Sequence, residues 1–400
     1  MKSLSIRLIV LLLATAVPAS SQGVPPEIAA LRQRIAAIRA QMTQVTAAAE
    51  YATDVFNRDP EARFLFSTTL SPGLRAEFAW HTGASPEMRE ADDPAARGIV
   101  ILPVQSWQTG GFVVATMIDR WESAGRPVIV VGSSAGMPPG SIVRHLVPNG
   151  APDAGTAHSA VNEVANLIAT WTLYVEFVGS ATRHYWQPGI YVSHLVPHAD
   201  DSNYKVRFRT PTGSRTIAPI VAGQLGRQYL DRVDSLLAAA AKPQHQALMQ
   251  RAADSLRAIR TAGHKLFVGA CGNYLQRGVL ADSVGSPFHP VLARYDIVPP
   301  MLQRGALAGD AILWFGYDGY DCPHLEAAGP LLDAGFKVVV VADHLPSNYP
   351  RNVMAAIPLE GRIPENIGRV PFNTEGVGSA SSVDALVHYL WLKRLVSPPR

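Results

Sequence analysis

One sequence pattern occurs twice in this chain of 400 residues, and the repetition limits the folds that the chain can adopt. The first copy covers residues 63–83 and the second covers 265–285, an offset of 265 − 63 = 202 positions. Each copy predicts a short buried strand, then a loop of small residues, then a helix. The matched positions are a basic residue, an arginine, an alanine and a glycine: Arg63/Lys265, Arg75/Arg277, Ala79/Ala281 and Gly83/Gly285.

Two more pairs of segments follow in the same order. Residues 98–109 match 310–321, and residues 155–161 match 378–383. Chance similarity between alanine-rich α/β sequences could explain one such pair. Three pairs in one order favour a duplicated domain, so we expect two similar α/β units whose strands at Phe64 and Leu266 occupy equivalent places.

Periodicity predicts the elements between the repeated loops. Alternating polar and apolar residues at 204–210 predict a half-exposed strand that pairs with 189–196 as a β-hairpin. Apolar residues at three- and four-residue spacing indicate amphipathic or buried helices. The predicted helices cover residues 27–57, 161–177, 229–241 and 244–262.

The fold class that follows is α/β, with two Rossmann-like three-layer domains, mainly parallel sheets and the inserted β-hairpin. A chain of this length has room for two domains that each bury a core. The predicted boundaries are a signal peptide at 1–21, repeat one with its leading helix at 25–180, a linker with the hairpin at 181–227 and repeat two at 228–396.

The amino terminus predicts export. Lys2 and Arg7 precede an apolar stretch at 8–16 that is too short to span a bilayer as a stable helix, which is typical of a cleaved signal peptide. An uncleaved membrane anchor is the alternative. We expect a mature protein that is secreted or periplasmic and has no membrane span. The net charge of +3 gives no electrostatic reason to expect a nucleic-acid partner.

The repeated loops resemble those of the sugar isomerase (SIS) domain. Two such domains in tandem, at roughly 60–180 and 230–396, resemble the isomerase half of glucosamine-6-phosphate synthase. The resemblance implies that a first loop of the form Gly-x-Gly-x-Ser and a second of the form Ser-x-Ser-Gly-x-Thr hold a sugar phosphate. Hydroxyls and backbone N–H groups at helix amino termini suit such an anion.

Carried over residue by residue, the resemblance favours repeat one as the binding site. Ser71, Ser106 and Thr109 keep hydroxyls at positions of the phosphate cradle, whereas repeat two has the carboxylates Asp318 and Asp321, which repel phosphate. Ordinary turn and helix-cap chemistry is the alternative for all these loops. The predicted ligand-binding residues are the polar residues of the two loops and a tryptophan that could stack on a sugar: Ser67, Thr68, Thr69, Ser71, Gln105, Ser106, Trp107 and Thr109.

Glu163 and His158 are the candidate catalytic residues. They lie near the predicted rim of the site, and aldose–ketose isomerisation needs a base to move a proton between adjacent carbons and an acid to open the ring. The alternative is that His158 or Ser159 caps the helix that follows.

Cys271 and Cys322 are the only cysteines, and each follows a predicted strand of repeat two. In an exported protein this placement predicts a disulfide, which would stabilise the fold by about 4 kcal/mol on the chain-entropy estimate. A metal site that also uses Asp318, Asp321 and His324, or two free thiols, are the alternatives.

The function expected from these observations is the handling of a carbohydrate derivative. One hypothesis is an exported protein that binds a phosphosugar or an amino sugar without catalysis, and the other is an active sugar-phosphate aldose–ketose isomerase. Export and the altered loops favour binding. The expected partner is a small-molecule sugar derivative; no metal or cofactor is predicted, and a homodimer is kept as a hypothesis.

Overall fold

The computed structural model describes most of the chain between Gly23 and Ser397. The described residues are 23–66, 95–104, 107–135, 143–152, 160–191, 209–211, 217–270, 286–291, 298–316, 324–342, 353–359, 368–370 and 373–397, with isolated positions between 74 and 93 and at 137. The predicted signal peptide lies outside them.

Repeat one is built on a parallel sheet. Its strands are β1 (Arg63–Phe66), β2 (Arg89–Glu90), β3 (Gly98–Pro103), β4 (Val128–Gly132) and β5 (His145–Pro148). They lie in the order β2-β1-β3-β4-β5, and every pair is parallel. The central strands β3 and β4 are buried almost throughout, which explains their continuous apolar sequence.

The described helices flank the sheets, and two short antiparallel pairs lie outside them. The helices are α1 (Pro26–Ala40), α2 (Met42–Arg58), α3 (Trp107–Ser123), α4 (Ala160–Arg183), α5 (Gln224–Ala240), α6 (Pro243–Thr261), α7 (Val298–Gln303), α8 (His324–Asp333) and α9 (Ser381–Val396). The antiparallel pairs are β6 (Trp186–Pro188) with β7 (Arg209–Pro211), and β13 (Gly368–Val370) with β14 (Asn373–Val377).

Repeat two has the same strand order as repeat one. Its strands are β8 (Leu266–Ala270), β9 (Phe288–Val291), β10 (Ala311–Gly316), β11 (Lys337–Ala342) and β12 (Ala355–Pro358). They lie in the order β9-β8-β10-β11-β12, again all parallel. The strands at Phe64 and Leu266 therefore occupy equivalent places, and the predicted α/β class with two mainly parallel sheets is confirmed.

Two predicted elements have different bounds in the structure. The helix predicted over 27–57 is broken at Gln41 into α1 and α2. An antiparallel pair does lie between the sheets, but its first strand is Trp186–Pro188 rather than 189–196, and its second is Arg209–Pro211. Most of the predicted hairpin lies outside the described residues.

Helix α4 forms the centre of the molecule. Every residue from Val164 to Thr182 is buried, and the helix packs against α1, α2, α5 and α9 as well as β4 and β5. Glu163 in the first turn and Arg183 in the last complement the helix dipole. One continuous apolar cluster includes residues of both repeats, among them Phe64, Trp171 and Trp391, so the two sheets share a core.

Among the described helices, none combines the length and the hydropathy that crossing a bilayer requires.

Candidate functional site

The strand order of sheet one reverses between β1 and β3. The chain passes from β1 to one side of the sheet for β2 and then to the other side for β3, and open α/β sheets bind ligands where the order reverses in this way. Strands β1 and β3 pair in parallel, with Phe66 opposite Ile101, so both predicted loops begin at the carboxyl edge of the sheet. The loop residues Ser67, Thr68, Thr69, Ser71, Gln105 and Ser106 lie outside the described residues, and their roles stay predictions.

Trp107 begins α3, directly after the second predicted loop. Its ring is 4% exposed and packs in the apolar cluster behind β3 and β4. Its indole N–H donates to the carbonyl oxygen of Ser133 at 2.6 Å. This placement ties α3 to the loop after β4, and stacking on a sugar stays a prediction. Thr109 lies in the first turn of the same helix.

A buried network of amides joins the loops that follow β3, β4 and β5. The side-chain amide of Asn149 donates to Oδ1 of Asn166 at 2.8 Å, and the amide of Asn166 donates to the carbonyl of Val104 at 3.3 Å. The hydroxyl of Ser133 donates to the carbonyl of Ala151 at 2.8 Å. Because Asn149 and Asn166 are buried and bonded to each other, they fix the distance between the strand ends and α4.

A cavity of about 450 Å³ opens beside this network. Residues after β4 and β5, including Ser133, Ser134 and Gly150, form one wall, and α1 forms the other. Gly150 has φ +71°, and a Cβ there would lie 2.4 Å from the backbone oxygen of Arg34, so only glycine permits this approach of loop and helix. The volume suits a small-molecule ligand.

Arg34 is the only residue with a formal charge among the described residues that line this cavity. Its guanidinium donates to Oδ1 of Asn162 in the first turn of α4. A guanidinium beside hydroxyl and amide groups suits an anionic or polyhydroxylated ligand. Sequence reasoning missed Arg34, since its position in a helix pattern looks like any solvated arginine. The sequence could have indicated Ser133-Ser134 and Asn149-Gly150 as site candidates, because these polar and small residues directly follow apolar strands.

Of the two candidate catalytic residues, the structure describes Glu163. It lies in the first turn of α4, is half-buried, and directly follows Asn162, the acceptor of Arg34. The arrangement brings Glu163 near the cavity but not into its lining. His158 lies outside the described residues, so the structure does not bring the two together.

Glu77 is a buried carboxylate that links the repeats. It belongs to the segment after the first loop of repeat one and is fully buried. Its Oε1 accepts from the indole of Trp171 in α4 at 3.1 Å, and its Oε2 accepts from the hydroxyl of Ser382 at 2.8 Å. Ser382 lies in the first turn of α9 of repeat two, within the third repeated segment. Both carboxylate oxygens are thus bonded, which indicates a structural contact between the repeats.

A buried chain of titratable groups lies inside repeat two. Nε2 of His245 and Nε2 of His388 are 2.6 Å apart, and Nδ1 of His388 is 3.3 Å from Oδ1 of Asp384. Burial, and then the neighbouring His388, lower the pKa of His245 to about 4, while the charge of Asp384 acts in the opposite direction. Within the described residues, no group of three His, Cys, Asp or Glu side chains has an arrangement that could hold a metal ion.

Cys271 and Cys322 lie outside the described residues, as do Asp318 and Asp321 of the second loop of repeat two. Strands β8 and β10 are adjacent and parallel, with Ala270 opposite Phe315. The segments that contain the cysteines therefore leave neighbouring strand ends. The disulfide stays a prediction.

The fold resembles solved structures of sugar-related proteins. A protein from Salmonella typhimurium LT2, provisionally described as sugar-binding, matches with TM-score 0.50 and 11% identity over 93% of this chain and 98% of that one. A provisionally described phosphosugar isomerase from Silicibacter pomeroyi DSS-3 matches with TM-score 0.52 and 12% identity over 93% of this chain and 97% of that one. Another from Clostridium difficile 630 matches with TM-score 0.50 and 8% identity over 92% of this chain and 94% of that one.

At these identities the likeness establishes the fold alone. No protein-family model matches the sequence, and no curated protein matches it significantly. The matches extend over nearly the full length of both chains, so they include both repeats and not one unit only. They confirm the predicted architecture, which is a pair of α/β units with parallel sheets in tandem.

Proposed function

We propose that this chain is an exported protein of the SIS type that binds a carbohydrate derivative, a phosphosugar or an amino sugar, at the carboxyl edge of sheet one. The observation that carries the proposal is the cavity of about 450 Å³ beside the ends of β4 and β5, where Arg34 is the one formal charge among the described lining residues. It lies at the carboxyl edge of the sheet, the edge where open α/β sheets bind ligands, on the β4–β5 side of the switch point between β1 and β3. The neighbours described as sugar-binding and phosphosugar-handling support the ligand class.

Binding is tested by calorimetry and thermal unfolding with the mature protein. A ligand that favours the native state raises the unfolding midpoint. We expect a sugar phosphate or amino sugar to raise the midpoint and to bind with measurable heat. Arg34→Gln should weaken a phosphosugar at least tenfold, since it removes the charge that faces the phosphate. Arg257→Gln is the matched control because Arg257 is exposed on α6 and pairs with Asp254. Equal affinities for the two variants would exclude the Arg34 cavity as the site.

An active aldose–ketose isomerase is the alternative, and the position of Glu163 in the first turn of α4 favours it. A carboxylate there could move the proton between C1 and C2 of an opened sugar. Incubation of sugar phosphates in D2O, followed by proton NMR, would reveal exchange at C2. Exchange that Glu163→Gln abolishes while sugar affinity is retained would establish catalysis. If no sugar that binds exchanges its C2 proton, the protein binds sugars without isomerising them.

Export is supported by Lys2, Arg7 and the apolar stretch at 8–16. Fractionation of cells that produce the full-length chain, followed by amino-terminal sequencing, tests this part. We expect periplasmic or secreted protein that begins shortly after the predicted signal peptide. Intact amino termini in a membrane or cytoplasmic fraction would contradict export without affecting the binding proposal. The homodimer stays a prediction that size-exclusion chromatography with light scattering can check.

A further inference from the structure

A second cavity, of about 590 Å³, lies at the opposite edge of sheet one. Its floor is formed where β1, β3 and β4 begin, at Ala62, Gly98 and Pro127. The last turns of α2 and the turn after α3 form its sides. We call it the amino-edge cleft. Nothing in the proposed sugar site uses it, because that site lies at the carboxyl ends of the same strands.

The amino-edge cleft is positively charged. Four arginines and two carboxylates line it, which leaves a formal charge of 4 − 2 = +2: Arg58, Arg97, Arg126, Arg144, Asp59 and Glu122. The carboxyl ends of α2 and α3 add about half a negative charge each, so the cleft keeps a positive balance. Guanidinium groups recognise phosphate through paired N–H donors better than ammonium groups do.

Two of these arginines lie at different distances from the carboxylates that they face. Arg97 Nη2 lies 2.9 Å from Asp59 Oδ2, whereas Arg144 Nη2 lies 3.6 Å from Glu122 Oε2. The Arg144 side chain is 74% exposed. Arg58 donates through Nε to the carbonyl of Asp54, a neutral acceptor. Arg58 and Arg144 can therefore turn towards a bound anion without breaking a close ion pair.

One aromatic ring, that of Tyr51, forms part of the wall. The rings of Tyr51 and His145 stack with centroids 3.7 Å apart and an interplanar angle of 16°. Burial, followed by the charge of Arg144, lowers the pKa of His145, so its ring is neutral at pH 7. Tyr51 faces the cleft, which gives a ligand an apolar surface beside the guanidinium groups.

The same edge of sheet two is organised differently. Asp310, which matches Gly98 in the repeat, is buried, and its carboxylate accepts from the backbone N–H of Lys265 at 2.9 Å and of Leu307 at 2.8 Å. Repeat one has no side chain there, because a Cβ on Gly98 would lie 1.8 Å from the backbone oxygen of Arg63. Repeat two thus supplies its own anion at this edge, whereas repeat one leaves an open, arginine-lined space.

We propose that the amino-edge cleft is a binding site for a small phosphate-bearing anion, either inorganic phosphate or a phosphomonoester. The proposal does not depend on the sugar site, because it rests on other residues at the opposite edge of the sheet. It gives the first repeat a second ligand position.

Isothermal titration of the mature protein with inorganic phosphate tests the proposal. We expect phosphate to bind, and the double variant Arg58→Gln/Arg144→Gln to lose at least tenfold in affinity at low salt. The loss should shrink as ionic strength rises, because both side chains are exposed and their charges are screened. Arg257→Gln is the control for a general loss of positive charge, and unchanged unfolding midpoints show that the variants remain folded.

A second titration, with a sugar phosphate, identifies the source of the phosphate group. This titration uses Arg34→Gln, so that the proposed sugar site does not contribute. Tighter binding of the ester than of phosphate, weakened by the added Arg58→Gln/Arg144→Gln, would assign the cleft to a phosphomonoester, and an affinity for the ester no higher than for phosphate would assign it to free phosphate. Wild-type protein without measurable phosphate binding would overturn the proposal. So would phosphate binding that survives Arg58→Gln/Arg144→Gln but disappears in Arg34→Gln, since the anion would then sit in the sugar site.

Discussion

Glu176 forms hydrogen bonds that link α4 to the start of α5 inside the core. Its carboxylate, buried in α4, accepts from the backbone N–H of Gly223 at 2.7 Å and of Gly226 at 2.6 Å, at the start of α5. The amino terminus of α5 thus receives its cap from another helix rather than from its own sequence. Burial raises the pKa of Glu176 above its usual range, although the two N–H donors lower it in part.

Replacement of Glu176 by Gln should destabilise the protein. One of the two N–H donors would face an amide NH2 and remain unsatisfied in the core, which costs about 1–3 kcal/mol. Urea denaturation followed by circular dichroism measures the change in the free energy of unfolding. Glu61→Gln, at an exposed position, is the control. A change no larger than that of the control would show that α5 does not depend on this cap.

His245 should make the stability depend on pH. Its folded-state pKa is about 4, below the unfolded value of roughly 6.5. Between these values the unfolded chain binds the extra proton, so the free energy of unfolding falls as the pH drops, by up to about 3 kcal/mol. Urea denaturation at pH 7, 5.5 and 4.5 should give a steeper decline for wild type than for His245→Gln. Parallel declines would assign the effect to other groups.

At the scale of elements, the repeated segments predicted the two parallel sheets better than the helix ends. Strands β3 and β10 lie within the repeated segments 98–109 and 310–321, and the central strands β3, β4, β10 and β11 are nearly continuous apolar runs, which is typical of buried parallel strands. The break at Gln41 could not be predicted, because Ile38 and Met42 on either side of it continue the same buried stripe. A break in a helix cannot be recognised in the sequence when the apolar spacing continues across it.

The site was predictable only in part, for a related reason. Hydroxyls after β1 and β3 carry a family pattern, so they could be named from the sequence. Asn149, Asn166 and Arg34 become neighbours through contacts between segments that lie up to 132 residues apart, since 166 − 34 = 132. No local sequence pattern indicates a contact between segments so far apart. The strands of short antiparallel pairs such as β13 and β14 have too few residues to show a periodic pattern.

The disulfide is a prediction about two elements, β8 and β10. Cys271 directly follows β8, and Cys322 lies six residues after the end of β10, its parallel neighbour. We expect peptide mapping of the exported protein under non-reducing conditions to recover one cross-linked peptide, and reduction to lower the free energy of unfolding by about 4 kcal/mol. The prediction is wrong if both thiols of the native protein are alkylated without reductant.

At the scale of the whole molecule, the two repeats should unfold together. They share one apolar cluster, and α1 of repeat one forms ion pairs with α5 and α9, at Arg32–Asp234 and Arg394–Glu27. Tryptophan fluorescence and circular dichroism should therefore report a single coincident transition for the mature chain.

Repeat one produced alone provides the complementary test. Residues 23–191 would expose the side of α4 that packs on α5 and α9. We expect this fragment to bind a hydrophobic dye and to lack a cooperative transition, as an incompletely packed core does. Two separate transitions in the full chain, together with a cooperative fragment, would show that the repeats are independent domains.

The burial of α4 on all sides has a consequence for synthesis. The ribosome completes this helix at Arg183, but its partner α9 begins at Ser381, and the 381 − 183 − 1 = 197 residues between them must be synthesised first. Throughout that interval a long apolar segment lacks the cover that the finished molecule gives it, and such surfaces aggregate readily. Production of the protein in cells should therefore respond to the supply of chaperones that hold nascent chains.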